Sequence, residues 1–263
     1  MDLGLKNKVA LVAASSRGLG KAVAWALARE GAKLVICARN KEVLEKTADE
    51  ILMQTGVTVF PLSMDLTNRD EIDWLMAETL DLFGNIDILV TNNGGPPPGT
   101  AEDVDEEDWR HAVQTTLMSA VRLSEAVIPG MQKQKWGRII HMASITVKQP
   151  IPRLFLSNVL RPAVVGLAKC QALDYAKDNI LVNSVCPGYF MTERVQNLLK
   201  DREQQTGRSS EEVMADAVSE IPLGRIGDPE ELASLVAFLA SEKAGYITGS
   251  NLVIDGGFDK GLM

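Results

Sequence analysis

Residues 8–40 read KVALVAASSRGLGKAVAWALAREGAKLVICARN, and their order settles the fold class. An apolar run (8–14) enters a turn of serine and glycine. The stretch 20–31, GKAVAWALAREG, places Val23 and Leu27 on one helical face and closes on Gly31, a good C-terminal stop. A second apolar run follows at 32–38. Strand, turn, helix, strand within about thirty residues is the unit that joins two parallel strands by a crossover helix.

The rhythm continues along the chain. Strand candidates recur at 57–62 (VTVFPL), 86–91 (IDILVT), 137–143 (GRIIHMA), 180–186 (ILVNSVC) and 251–254 (NLVI). Several are almost continuously apolar, as strands buried on both faces of a parallel sheet must be. The expectation is an α/β protein: one Rossmann-like domain over residues 1–263, with a seven-stranded, mostly parallel, doubly wound sheet flanked by helices. GGPPPG (94–99) is too short for a domain boundary and follows a strand, where a rigid site loop would sit. The long departure is 189–228, polar and helical in pattern, inserted before PEELASLVAFLAS. Open α/β sheets bind ligands beyond the carboxyl ends of their strands, so this insertion is read as a helical lid. A solvated helical excursion used for packing or subunit contact is the alternative.

Composition removes several classes. The formal charge is −8 (27 basic, 35 acidic residues) and no basic run breaks it, so no nucleic-acid partner is expected. No run of 18 apolar residues exists and MDLGLKNKVALV lacks an apolar leader segment, so no membrane partner is expected and the chain reads as soluble and cytoplasmic. Cys37, Cys170 and Cys186 are odd in number and widely spaced, neither a disulfide framework nor a zinc pattern. They are expected as small buried apolar residues. No His, Cys and acid set has ligand spacing, so no metal is expected.

In AASSRGLGKAVA, Gly18 and Gly20 open a helix and let backbone approach a pyrophosphate at its N-terminus. Here the chain resembles the short-chain dehydrogenase/reductase (SDR) family, near the 3-oxoacyl-carrier-protein reductases and sugar (glucose) dehydrogenases. The family fingerprint TGxxxGxG lies over residues 13–20, with Ala13 and Ala14 replacing its Thr and first Gly. The resemblance implies a nicotinamide-dependent oxidoreductase acting on a small carbonyl or alcohol substrate, as a homotetramer or homodimer. It assigns Ala14, Ser16, Arg17, Gly18, Leu19 and Gly20 to the cofactor turn. Asp65 and Leu66 of SMDLT fall on the adenine side, Asn92 and Gly94 in TNNGG, and Pro187, Gly188 and Thr192 of VNSVCPGYFMTE near the nicotinamide. YITGSNLVIDGG (246–257) matches the last strand. After the second strand, ICARN has Ala38 where an acid would hold ribose hydroxyls, then Arg39, whose planar fork suits phosphate. With Arg17 as a second cation, NADP(H) is expected ahead of NAD(H).

The same resemblance implies a catalytic Asn, Ser, Tyr and Lys. Ser144 fits the Ser; thirteen residues on lies Ser157, and four beyond it Arg161. The following PAVVGLAK (162–169) falls in register with the family's AAVxGLTK, so no gap rescues the motif. The Asn position holds Thr116, with Thr115 adjacent. Tyr175, Tyr189 and Tyr246 are followed four positions on by Asn179, Glu193 and Ser250, so YxxxK occurs nowhere. A Ser hydroxyl is a far weaker acid than a phenol. Arg161 can bind ribose hydroxyls and supply charge, yet cannot relay protons as Lys can. Lys148, in the loop 145–154 with Arg153, is a candidate proton donor or a solvated lysine. His141 is read as a core histidine, His111 as structural or interfacial, and Tyr189 as packing or near the nicotinamide. The favoured reading is an NADP-dependent oxidoreductase with Ser144, Ser157, Arg161, Thr116 and Lys148 in a non-standard active site. The alternative is an NADP-binding protein without hydride transfer, a redox sensor or partner subunit. Elimination or isomerisation in the same pocket is a weaker third.

Overall fold

Alternation along the first strand shows how the sheet is built. In the computed structural model, which describes residues 1–262, β1 (Val9–Ala13) sends Ala10 and Val12 into one core. Val9, Leu11 and Ala13 enter a second core on the opposite face. Successive strand side chains point to opposite faces, so burial on both sides demands an unbroken apolar run. The remaining strands are β2 (Lys33–Ala38), β3 (Val59–Ser63), β4 (Ile88–Thr91), β5 (Gly137–Met142), β6 (Ile180–Pro187) and β7 (Asn251–Ile254). Among the described residues they form one seven-stranded sheet in the order β3-β2-β1-β4-β5-β6-β7. All neighbouring pairs in it are parallel, a firmer result than the mostly parallel sheet expected.

The helices are α1 (Gly18–Arg29), α2 (Lys41–Thr55), α3 (Arg69–Phe83), α4 (Glu106–Val113), α5 (Ser119–Gln134), α6 (Phe155–Tyr175), α7 (Glu193–Thr206), α8 (Ser210–Ser219) and α9 (Pro229–Ala240). Val23 and Leu27 of α1, Ile51 of α2 and Leu232 of α9 cover one face of the sheet. Leu75 of α3, Leu123 of α5 and Ala168 of α6 cover the other. Burying each such Leu, Ile or Val contributes about 1.5–3 kcal/mol relative to exposure. Caps fix the helix limits. The Asn40 side chain accepts from the Val43 amide at 3.0 Å and Gly56, at φ +71°, ends α2.

Strand order reverses at β1, whose neighbours are β2 and β4. The crevice that opens at the carboxyl ends there is where doubly wound sheets bind ligands.

A buried polar chain crosses the second layer. The Thr91 hydroxyl lies 2.8 Å from His141 Nδ1, and His141 Nε2 lies 3.0 Å from Gln171 Oε1. Gln171 Nε2 donates to the Ser124 hydroxyl at 2.7 Å, and Ser124 donates to the Ala120 carbonyl. One assignment satisfies the chain: His141 neutral, with its proton on Nε2. Burial pushes His141 down to about 4, against a smaller opposing effect of the Gln171 bond. An unfolded histidine titrates near 6.5, so between roughly pH 6.5 and 4 only the unfolded chain takes this proton. This contribution to stability is therefore intact above pH 6.5 and lost as pH falls toward 4. Urea unfolding at pH 7 and 4.5 is expected to show wild type losing about 2 kcal/mol more than His141→Gln. Equal losses would refute the assignment.

One expectation needs correction. Cys37 and Cys186 are buried, but Cys170 is exposed on α6. His111, read as structural or interfacial, is exposed and lines the crevice. Among the described residues no helix is long and apolar enough to cross a membrane.

Candidate functional site

The glycine turn sets the floor of the crevice. A Cβ on Gly20 would stand 2.3 Å from the Ala14 carbonyl oxygen and 2.9 Å from Asn92 Nδ2, so only glycine allows α1 to pack this closely. Asn92 Nδ2 donates to the Ala14 carbonyl at 3.4 Å, tying the β4 loop to the turn. Ala14 itself lies at φ +48°, where an L-residue is strained by about 1–2 kcal/mol. Ala14→Gly is therefore expected to raise the unfolding free energy by about 1 kcal/mol, after its extra chain entropy is subtracted. A denaturation midpoint that stays or falls would contradict this.

A groove of about 740 Å³ runs along the crevice. Ala14, Ser16, Arg17, Gly18, Leu19, Arg39, Asp65, Leu66, Asn92, Gly94 and Thr192 all line it, while Gly20 supports it from behind. Arg39 is exposed and, among the described residues, forms no ion pair. Arg17 is engaged: its Nη1 lies 2.7 Å from Glu193 Oε2 at the start of α7. Burial opposes ionisation of Asp65, but hydrogen bonds from Thr67 and the charges of Arg39 and His111 hold its carboxyl below the usual range.

An inner cavity of about 140 Å³ opens beside the groove and shares Leu19, Asn92, Gly94, Thr192 and Arg194 with it. Ser144, Ser157, Arg161, Pro187, Gly188 and Tyr189 line its depth. Ser144 caps a short 3-10 turn, its oxygen accepting from the Thr146 amide at 3.2 Å. The Ser157 and Thr146 hydroxyls are 3.4 Å apart. Arg161 Nη1 donates to the Met142 carbonyl at 2.7 Å and Nη2 to Asn93 Oδ1 at 2.9 Å. One side chain thus joins the end of β5 to the loop after β4. Burial, then the nearby Arg194 charge, lowers Arg161 to about 10, which leaves it a cation at neutral pH. Gly188 has no room for a Cβ, which would lie 2.6 Å from Asp255 Cβ. Burial lifts the Cys186 thiol to about 11, and its Sγ lies 2.8 Å from Asn251 Oδ1, so it is no ready nucleophile.

Two catalytic candidates fall outside both linings. Thr116 sits in a π-helical turn (Gln114–Met118), buried, its hydroxyl without a partner. Lys148 does not line the inner cavity. Tyr189 does, but its ring packs edge-on against Phe258 with centroids 5.4 Å apart, and burial raises its phenol above the ordinary value. Sequence reasoning missed Asn93, the acceptor for Arg161, and Arg194, which donates to the carbonyls of Gly94 and Pro96. Arg194 directly follows Glu193, yet its partners lie about a hundred residues away, beyond any local spacing signal.

Among the described residues no group of His, Cys and acids is placed to hold a metal. Two hydroxyls and a buried cation at the inner end of a long groove can polarise an oxygen on a small molecule.

A family profile described as "Enoyl-(Acyl carrier protein) reductase" matches residues 13–259. The 3-oxoacyl-[acyl-carrier-protein] reductase FabG of Vibrio cholerae is 35% identical over 255 residues, 97% of this chain and 98% of that protein. Dehydrogenase/reductase SDR family member 4 of Oryctolagus cuniculus is 36% identical over 254 residues, 96% of this chain and 94% of that one. Among solved structures, L-sorbose reductase from Gluconobacter frateurii, complexed with NADPH and L-sorbose, superposes with a TM-score of 0.95 at 35% identity, covering 100% of both chains. Actinorhodin polyketide ketoreductase with NADPH gives 0.93 at 31% identity, covering 97% of this chain and 98% of that one.

Proposed function

We infer that the chain, which belongs to the short-chain dehydrogenase/reductase family, is an NADP(H)-dependent oxidoreductase that interconverts a carbonyl and an alcohol in a non-standard active site. The observation that carries this reading is the junction of groove and inner cavity at Asn92, Gly94 and Thr192, which sets a dinucleotide-sized channel beside Ser144, Ser157 and Arg161. The residues present suit the cofactor. The turn excludes any Cβ at Gly20, and Ala38 and Arg39 put no carboxylate and one exposed cation where a 2′-phosphate would lie. The solved relatives named with NADPH support the same choice.

When bound, the cofactor supplies or accepts a hydride at the carbon bearing the reacting oxygen. Ser144 and Ser157 donate hydrogen bonds to that oxygen, and Arg161 adds fixed positive charge in a desolvated place. No lining group of the inner cavity is a good acid near neutral pH, so water supplies the proton. General acid assistance is typically worth about 10²–10⁴ in rate, and turnover is expected to be slower by a comparable factor than with a tyrosine acid. The 189–228 insertion acts as a lid: α7 is held across the groove by Arg17–Glu193 and by Arg194 on the GGPPPG loop. The chain assembles as a homodimer or homotetramer, for which exposed Val159 and Leu173 on α6 supply apolar surface.

NADPH oxidation against keto acids, 3-ketoesters, sugars and aldehydes tests the reading, with Ser157→Tyr/Arg161→Lys beside wild type. Slow turnover by wild type, with faster turnover by the double variant, is the expected result. A silent wild type beside an active double variant would overturn it and favour a nucleotide-binding protein without hydride transfer.

A further inference from the structure

Charge in the inner cavity is unbalanced. Arg161 is only 7% exposed, both its Nη groups meet neutral acceptors, and its Nε–H has no partner. Arg194, at the rim, meets only backbone carbonyls. Among the described residues that line the cavity there is no Asp or Glu. A guanidinium removed from water normally has a carboxylate or phosphate beside it, because burying an unpaired charge is costly. Neutral ribose hydroxyls would fill hydrogen bonds here without cancelling charge.

We propose that the inner cavity selects substrates carrying a carboxylate, small oxo acids and the matching hydroxy acids, with the acid group on the Arg161–Arg194 side. The proposal rests on the oxidoreductase reading and names the substrate class of that same site. A planar guanidinium edge matches a carboxylate in geometry as well as sign. The volume of about 140 Å³ favours a short acid, since a cavity of about 150 Å³ takes a molecule of benzene's size. Ser144 and Ser157 then meet the reacting oxygen.

Calorimetric titration into the protein saturated with NADP⁺ tests this without turnover, because an oxo acid and the oxidised cofactor cannot react by hydride transfer. The probes are 2-oxobutanoate, butanoate, methyl 2-oxobutanoate and 2-oxobutanamide. Both acids are expected to bind at least tenfold more tightly than the ester and amide, with affinity falling as salt rises. Arg194→Gln, which also loosens the hold of α7 on the GGPPPG loop, is expected to weaken the acids about tenfold more than it weakens the ester. Arg161→Lys, which keeps the charge, should retain the preference. Acids no tighter than the ester, or an Arg194→Gln effect shared equally by both, would overturn the proposal. Acid binding without turnover in the oxidation assay would leave the anion site standing and sink the oxidoreductase reading. Turnover of esters as fast as acids would do the reverse.

Discussion

Gly20→Ala is expected to weaken NADPH binding at least a hundredfold, or about 3 kcal/mol. The added methyl would lie 2.3 Å from the Ala14 carbonyl oxygen, far inside contact distance, and 2.9 Å from Asn92 Nδ2. The first obstacle is fixed backbone, just past the end of β1, whereas the second is the end of the Asn92 side chain, which can turn aside. The start of α1 must therefore move outward, opening the turn that lines the groove. Fluorescence titration with NADPH, beside circular dichroism to confirm a folded chain, checks this. Binding within threefold of wild type would mean that the turn is not the phosphate cradle.

Arg161→Gln carries the second large effect. It removes a buried cation that bridges the Met142 carbonyl and Asn93, and glutamine is too short to reach both. Hydrogen bonds to charged groups contribute about 1.5–3 kcal/mol each, so stability is expected to fall by about 3 kcal/mol. With the charge and the loop position both lost, kcat/KM is expected to fall about a thousandfold. Arg161→Lys keeps the charge but offers one ammonium for two acceptors, and should recover part of each loss. Urea unfolding and steady-state kinetics separate the effects. A stable Arg161→Gln protein with kcat/KM within tenfold of wild type would remove Arg161 from the chemistry.

The sheet was legible because its strands are buried on both faces: VALVA in β1 and ILVNSVC in β6 can hardly be anything else. The groove was legible for a related reason, since turns at strand ends keep their position when strand and helix do. The catalytic end was less so. Thr115 lines the groove and Thr116 does not, because a π-helical turn carries one residue more than an α-helical turn and rotates the faces that follow. A spacing of seven from Trp109 cannot show that rotation. Arg17 lines the groove as local context suggests, but its ion pair with Glu193, 176 residues later, has no local signal. Cys170 read as buried from composition, but α6 turns it outward. Each miss depends on a contact far along the chain or on helical phase.

The central claim is that a site built on Ser144, Ser157 and Arg161 still moves a hydride. NADPH deuterated at C4, incubated with the protein and a panel of oxo acids, sugars and ketoesters, tests it most directly when the product alcohols are weighed by mass spectrometry. The account predicts an alcohol heavier by one deuterium, carried on the carbon that bore the carbonyl. NADPH that binds tightly while no product in the panel gains deuterium would contradict it.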